Sequence, residues 1–230
     1  MDIVYEDNHL LVVNKPIGWI VQGAQTGQNS LLDLAKSYIK AKYQKPGNVF
    51  LGVVSRLDGP VSGLVPLART SKAASRLSEQ IRLRAVKKVY WAIVSGKPPK
   101  ASDRIVHWLV RQESDTITRV ATSTAPNAQQ AILEYRTLGM STSNVSIDAV
   151  APQTLLEIEL VTGRKHQIRA QLAAMGCPIL GDAKYGSKSR FPEGIALHCR
   201  RLVFQHPIRN EELDLTANPP KTWPNWTAKS

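Results

Sequence analysis

The residue best placed to do chemistry is Asp58. It sits in the stretch Val54 to Leu67, VSRLDGPVSGLVPL, on a Gly/Pro turn between two apolar runs and two residues beyond Arg56. A carboxylate on a tight turn between strands is held rigidly and partly desolvated, which suits a nucleophile or a base. In isolation, an aspartate on such a turn is more often a turn residue. Other chemistries find less support. Glycoside hydrolysis uses two carboxylates flanking the bond, and no second acid lies near Asp58 in sequence. The five histidines are scattered, and Cys199 beside His198 is a lone pair without metal-ligand spacing. No GxxxxGK[ST] phosphate loop is present. The residues alone leave Asp58 as the candidate catalyst, and a second acid could still approach it in space.

Charge suggests the partner. Thirty Lys and Arg stand against 18 Asp and Glu, a formal net charge of +12. Such a balance favours polyanions, nucleic acid first. The basic residues cluster. One group is Arg69, Lys72, Arg76, Arg82, Arg84, Lys87 and Lys88, another is Arg164, Lys165 and Arg169 with His166, and a third is Lys184, Lys188, Arg190, Arg200 and Arg201. Arrays of this kind neutralise phosphates and release counterions. For the first group a solvated helix face is nearly as good an explanation. The two cysteines read as reduced thiols of a cytosolic protein, although sequence alone leaves a bond between them open. The acidic start, MDIVYEDNHLL, lacks a signal-peptide pattern, and no apolar run reaches membrane-spanning length. The expected location is the cytoplasm.

The elements that must position these residues follow from periodicity. Ile3 to Tyr5 and Leu10 to Val13 read as two strands around a turn. Residues 30–43 show helical spacing with Ser30 as N-cap. Residues 49–57 and 63–68 read as strands flanking the Asp58 turn, 71–85 as a helix, and 88–95 as a strand. The polar middle, 96–128, reads as two weakly specified strands, 105–110 and 117–121, with mobile connections. Two more strands are expected at 129–138 and 154–161. A helix over 164–175 ends at Gly176 and Pro178. A last strand, 195–204, precedes a Pro-rich tail. Many strands with few helices, in no regular alternation, predict an α+β fold with a mixed, largely antiparallel sheet flanked by helices and loops. We read residues 1–230 as one domain.

Four segments resemble the RluA-type family of RNA pseudouridine synthases, in the family's order. YEDNHLLVVNKPIGW, Tyr5 to Trp19, is similar to its opening segment. SRLDGPVSGL resembles its HRLD-x-x-x-SGL motif, and KKVYWAIVSG its K-x-Y-x-A-x-V-x-G strand. TGRKHQIRAQLAAMGCPILGDAKYG resembles TGR-x-HQ-[IL]-R…G-x-P-[IL]-x-GD-x-x-Y. Four such matches in order are highly specific.

The resemblance implies an enzyme that isomerises uridines of structured rRNA or tRNA without a cofactor. Asp58 matches the family's essential aspartate. Tyr90 matches a tyrosine that stacks on the target base and is implicated in proton transfer. Arg169 matches the basic residue that pairs with the aspartate. Arg56 matches an arginine that fills the space left by a flipped nucleotide. Lys15, Arg164, Lys165 and His166 are expected to contact RNA. The chain departs from the pattern at Ser55, where the family usually has His, at Gly59-Pro60, and at Gln171, where His is expected. These changes bear on substrate choice more than on chemistry. The chain begins at the catalytic segment with no S4 module before it, so it resembles the compact members, and a monomer is expected. Two rival functions stay open: a non-catalytic RNA-binding protein that keeps the fold, and a nucleoside glycosidase with a similar aspartate. The basic surface disfavours the second.

Overall fold

The computed structural model describes residues 1–23, 29–111, 116–141 and 152–224. They divide into two compact units, residues 1–88 with 199–220, and residues 89–198 with the last segment from 221.

In the first unit, β1 (Asp2–Glu6) and β2 (Leu10–Lys15) form an antiparallel hairpin. Asp7 organises its turn by accepting from the His9 and Leu10 amides at 2.7 Å each. Helix α1 (Leu31–Lys42) starts at Ser30 with a reciprocal capping box to Asp33. Short β3 (Gly52–Val53) and long β4 (Ser62–Ala68) follow, with β4 antiparallel to both β2 and β3. Leu11, Val13, Val65 and Leu67 share one face of the β2–β4 ladder and pack with Leu31, Ala35 and Ile39 of α1. Burying each such aliphatic side chain contributes about 1.5–3 kcal/mol. Helix α2 (Ser71–Arg82), capped by Thr70, packs on β3 and β4, with Ala74 against Gly52.

Strand β5 (Lys87–Ser95) enters the second unit at Val89, and β6 (Ser102–Val110), β7 (Arg119–Ala121), β8 (Gln129–Ser141) and β9 (Gln153–Leu160) follow, in the spatial order β5-β9-β8-β6-β7. The β5–β9, β9–β8, β8–β6 and β6–β7 pairs are all antiparallel. Helix α3 (Gln167–Ala174) lies on one face, where Ala170 packs with Leu109 and Ala131. A single 3-10 turn covers Ala183–Tyr185. Strand β10 (Leu197–Gln205) then leads back to the first unit, where β11 (Glu212–Thr216) pairs with it antiparallel.

The fold is α+β, as expected, with four local differences. The strand expected over 49–57 is only Gly52–Val53. Strand β10 takes the rest of the β4 edge, so from Val54 the chain has no ladder to join. The helix expected from Arg164 begins at Gln167, because His166 adopts a left-handed φ of 53° and the Gln167 side chain accepts from the Arg164 amide at 2.9 Å. The last expected strand begins at Leu197 rather than Ile195. The tail contains β11, whose alternating Leu213 and Leu215 match a two-residue period. The expected connection through 112–115 lies outside the described residues.

Gly63 shows how tightly this frame is built. Its φ is +118°, and a Cβ there would sit under 3.0 Å from the Cys199 backbone. Backbone cannot yield as a flexible side chain can. Gly63→Ala is therefore expected to cost at least about 3 kcal/mol, through strain plus overpacking. Urea unfolding reads this directly, and an unchanged midpoint would contradict the close approach.

Candidate active site

Asp58, Arg56 and Lys15 belong to the first unit. Asp58 is half-buried in the irregular segment 54–58, and its carbonyl accepts from the Val61 amide at 3.1 Å. The turn that follows is pinned from the opposite loop. The Gly59 carbonyl accepts from the Gly18 amide at 2.9 Å and from Lys15 Nζ at 3.2 Å. Lys15 Nζ also donates to the Trp19 carbonyl at 2.8 Å and the Pro16 carbonyl at 3.0 Å.

The structure thus gives Lys15 a different place from that of an exposed phosphate contact. It continues the Leu11–Val13 column onto the α1 face and is fully buried. It knots the KPxG loop to the Asp58 turn. Burial pulls its ammonium down to about 8, while the Asp58 carboxylate pushes it back up.

This has a consequence for stability. Between about pH 8 and the unfolded value near 10.5, the unfolded chain carries a proton at Lys15 that the folded chain has lost. Stability therefore rises with pH across that window, and the burial cost is fully present below it. Wild type should gain up to about 3 kcal/mol relative to Lys15→Met between pH 7.5 and pH 10. Parallel denaturation curves for the two proteins would contradict it.

Arg56 is exposed. Ser55 accepts a hydrogen bond from Lys88 Nζ at 3.0 Å. The departures at Ser55 and Gly59-Pro60 are thus built into the local structure. Gln171 is too: it is fully buried and donates to the Ala131 carbonyl at 3.2 Å.

Tyr90, Arg164, Lys165, His166 and Arg169 belong to the second unit. Register aligns Tyr90 with Ile158, Tyr135 and Asp103 in one row across four strands. Asp103 shares its face with Leu109, two-residue steps along β6, so Tyr90 lies on the face that α3 covers. It is 7% exposed, a depth expected of a core residue and equally of a stacking platform.

Arg169 is buried and forms a two-pronged pair with Asp182, Nε to Oδ2 at 2.7 Å and Nη2 to Oδ1 at 2.8 Å. Its guanidinium lies over the Tyr185 ring at 4.8 Å. The Tyr185 hydroxyl accepts from the Thr118 amide at 2.9 Å and is also hydrogen-bonded to His166 Nδ1 at 2.8 Å. Gln167 orders the preceding loop, donating to the Ile132 carbonyl at 3.0 Å and accepting from Thr162 Oγ1 at 2.8 Å. Arg164 and Lys165 are exposed, and Arg164 Nε donates to the Gln130 carbonyl at 3.3 Å.

Sequence reasoning assigned no role to Asp182 or Tyr185, and took Lys88 only as one of the first basic group. The GD-x-x-Y motif held the signal for the first two, and KKVY for the third.

The basic clusters sort by exposure. In the first, Arg69 is buried against Glu6, Arg82 pairs with Glu79, and Arg76 donates to the Pro207 carbonyl. In the third, Arg201 pairs with Asp214 and Arg200 donates to the Ala217 carbonyl. Lys184, Lys188 and Arg190 are exposed, as are Arg164 and Lys165. Among the described residues no helix is long and apolar enough to cross a membrane.

Comparison with known proteins gives these motifs a context. The family model for RNA pseudouridylate synthase matches residues 9–174. The chain is 31% identical to tRNA pseudouridine synthase C of Pectobacterium carotovorum subsp. carotovorum, over 97% of this chain and 60% of that protein. It is 32% identical to ribosomal large subunit pseudouridine synthase D of Vibrio cholerae serotype O1, over 96% of this chain and 68% of that one. The chain thus spans about three fifths to two thirds of these relatives. Among solved structures it resembles human RNA Pseudouridylate Synthase Domain Containing 4, with a TM-score of 0.76, 28% identity, and coverage of 96% and 89%. The family match over residues 9–174, most of the chain, shows that the chain belongs to the RNA pseudouridylate synthase family.

Proposed function

We propose that this chain is an RNA pseudouridine synthase that isomerises uridines of structured rRNA or tRNA, with Asp58, Tyr90 and Arg169 as its catalytic residues. The observation that carries the reading is the construction of the Asp58 turn. A half-buried carboxylate is held there by Lys15 and Gly18 through Gly59, in a segment that joins no sheet ladder. A turn serving only to reverse the chain has no need of a buried ammonium behind it.

In the reaction the bond from ribose to the uracil ring nitrogen breaks, and the ring reattaches through carbon 5. Nothing is consumed, so the site must retain the base and keep water out. The uridine leaves its stack at a cost of a few kcal/mol. Tyr90 stacks on the extruded ring, worth roughly 1–3 kcal/mol per base in single-strand binders, and takes the proton from carbon 5 as its own hydroxyl proton leaves, the freed ring nitrogen ending protonated. Asp58 acts on the sugar, as nucleophile or as base. Arg169 stabilises the ionised carboxylate of Asp58, with its own orientation set by Asp182 and Tyr185. Exposed Arg56, Arg164 and Lys165 contact the RNA, as does His166, which is hydrogen-bonded to Tyr185. The two units act together as one catalytic domain, and the protein works as a cytoplasmic monomer.

Incubating unmodified tRNA and rRNA transcripts with the protein and digesting them to nucleosides tests this. Pseudouridine should accumulate within the RNA. Free uracil would identify a glycosidase, and unaltered RNA that is nonetheless bound would identify a binding protein.

A further inference from the structure

The first unit holds two lysines away from bulk solvent, and their ammonium groups are held differently. Lys15 Nζ donates to three carbonyl oxygens, which fills its donor capacity. Lys88, the second residue of β5, is half-buried. Among the described residues its Nζ has one hydrogen-bond partner, Ser55 Oγ at 3.0 Å, and no carboxylate. Burial pushes the Lys88 ammonium down, and Cys199 is the titratable group that opposes this. The first lysine is satisfied by its own chain. The second is a desolvated cation with two N–H donors to spare, a state that an incoming anion relieves.

Ser55 sharpens the argument. Its Oγ accepts from Nζ, so its own O–H remains a donor. Two donors then converge from Lys88 and Ser55, three residues before Asp58, with exposed Arg56 next in the chain. We propose that Lys88 and Ser55 form a seat for one phosphate of the RNA strand, holding a phosphate oxygen through Nζ–H and Oγ–H beside the reacting uridine. The proposal rests on the reading of the chain as an RNA-modifying enzyme. It gives the serine that replaces the family's usual histidine a function in setting the register of the strand.

The titration of the wild-type protein tests it directly. The Lys88 ammonium signal is identified by NMR as the one missing in Lys88→Met, then titrated with pH in the free protein, with unmodified tRNA and rRNA transcripts, and with inorganic phosphate. A bound phosphate raises the pKa of a neighbouring ammonium. RNA should therefore move the Lys88 titration upward. Independently, Lys88→Met should weaken RNA binding about tenfold and flatten the slope of log affinity against log salt by about one, while Lys88→Arg restores most of both.

A Lys88 titration that stays put or moves down on RNA binding overturns the proposal. So does a response to inorganic phosphate alone, or a wild-type salt slope in folded Lys88→Met. If Lys88 responds to RNA while wild type forms no pseudouridine, the phosphate seat stands and the isomerase reading falls.

Discussion

Asp58→Asn should lower turnover by roughly 10³-fold or more while leaving RNA affinity within a few fold. The exchange is nearly isosteric. The backbone contacts of the turn, Asp58 carbonyl to Val61 amide and Gly59 carbonyl to Gly18 amide, do not involve the carboxylate. The Lys15 knot also runs through Gly59 and two other carbonyls rather than through the Asp58 side chain. What is lost is the negative charge and the nucleophilic or basic oxygen. A structural turn residue would show the opposite pattern, a small loss of stability with activity intact. Steady-state turnover and RNA binding on the same preparation separate the two.

The second large effect concerns Asp182. Its carboxylate and the Arg169 guanidinium are both buried and meet through two charge-assisted hydrogen bonds. Removing one member of a buried pair strands the other charge. Asp182→Ala is therefore expected to cost about 3–5 kcal/mol in stability. It should also lower turnover well below the melting transition, because Arg169 loses the two bonds that fix its orientation over the Tyr185 ring. Asp182→Asn keeps the shape and one acceptor, so it should fall between wild type and Asp182→Ala on both readouts. Denaturation and turnover at a temperature where all three proteins are folded check this. Equal stability and turnover across the series would mean that Arg169 is held by something else.

These two predictions also mark how far the residues alone could be read. Asp58 stands out in the sequence only because the surrounding motif repeats the family's spacing; what the structure adds is the half-buried turn that carries it. Helix α1 was legible down to its cap, since Ser30 and Asp33 meet three residues apart. Strand β11 obeyed a two-residue period but was masked by the prolines that follow it. The shortness of β3 had no local signal, because it depends on β10 competing for the edge of β4 from far along the chain.

Lys15 was the most misleading position. A lysine in a basic protein reads as a surface cation, and only the β2–β4 register turns it inward between Val13 and the Asp58 turn. The basic clusters misled for a related reason. Arg69, Arg76, Arg82, Arg200 and Arg201 are engaged by carboxylates or carbonyls whose sequence positions lie up to 131 residues away. Asp182 and Tyr185 converge on Arg169 through the 3-10 turn at Ala183–Tyr185, a tertiary fact that spacing alone does not carry.

The most direct test of the central claim is tritium release from RNA labelled at carbon 5 of uridine, with wild type and Asp58→Asn side by side and free uracil assayed in the same tubes. The account predicts release by wild type, none by Asp58→Asn, and no free uracil in either. Equal release by the two proteins, or uracil appearing in step with tritium, would contradict it.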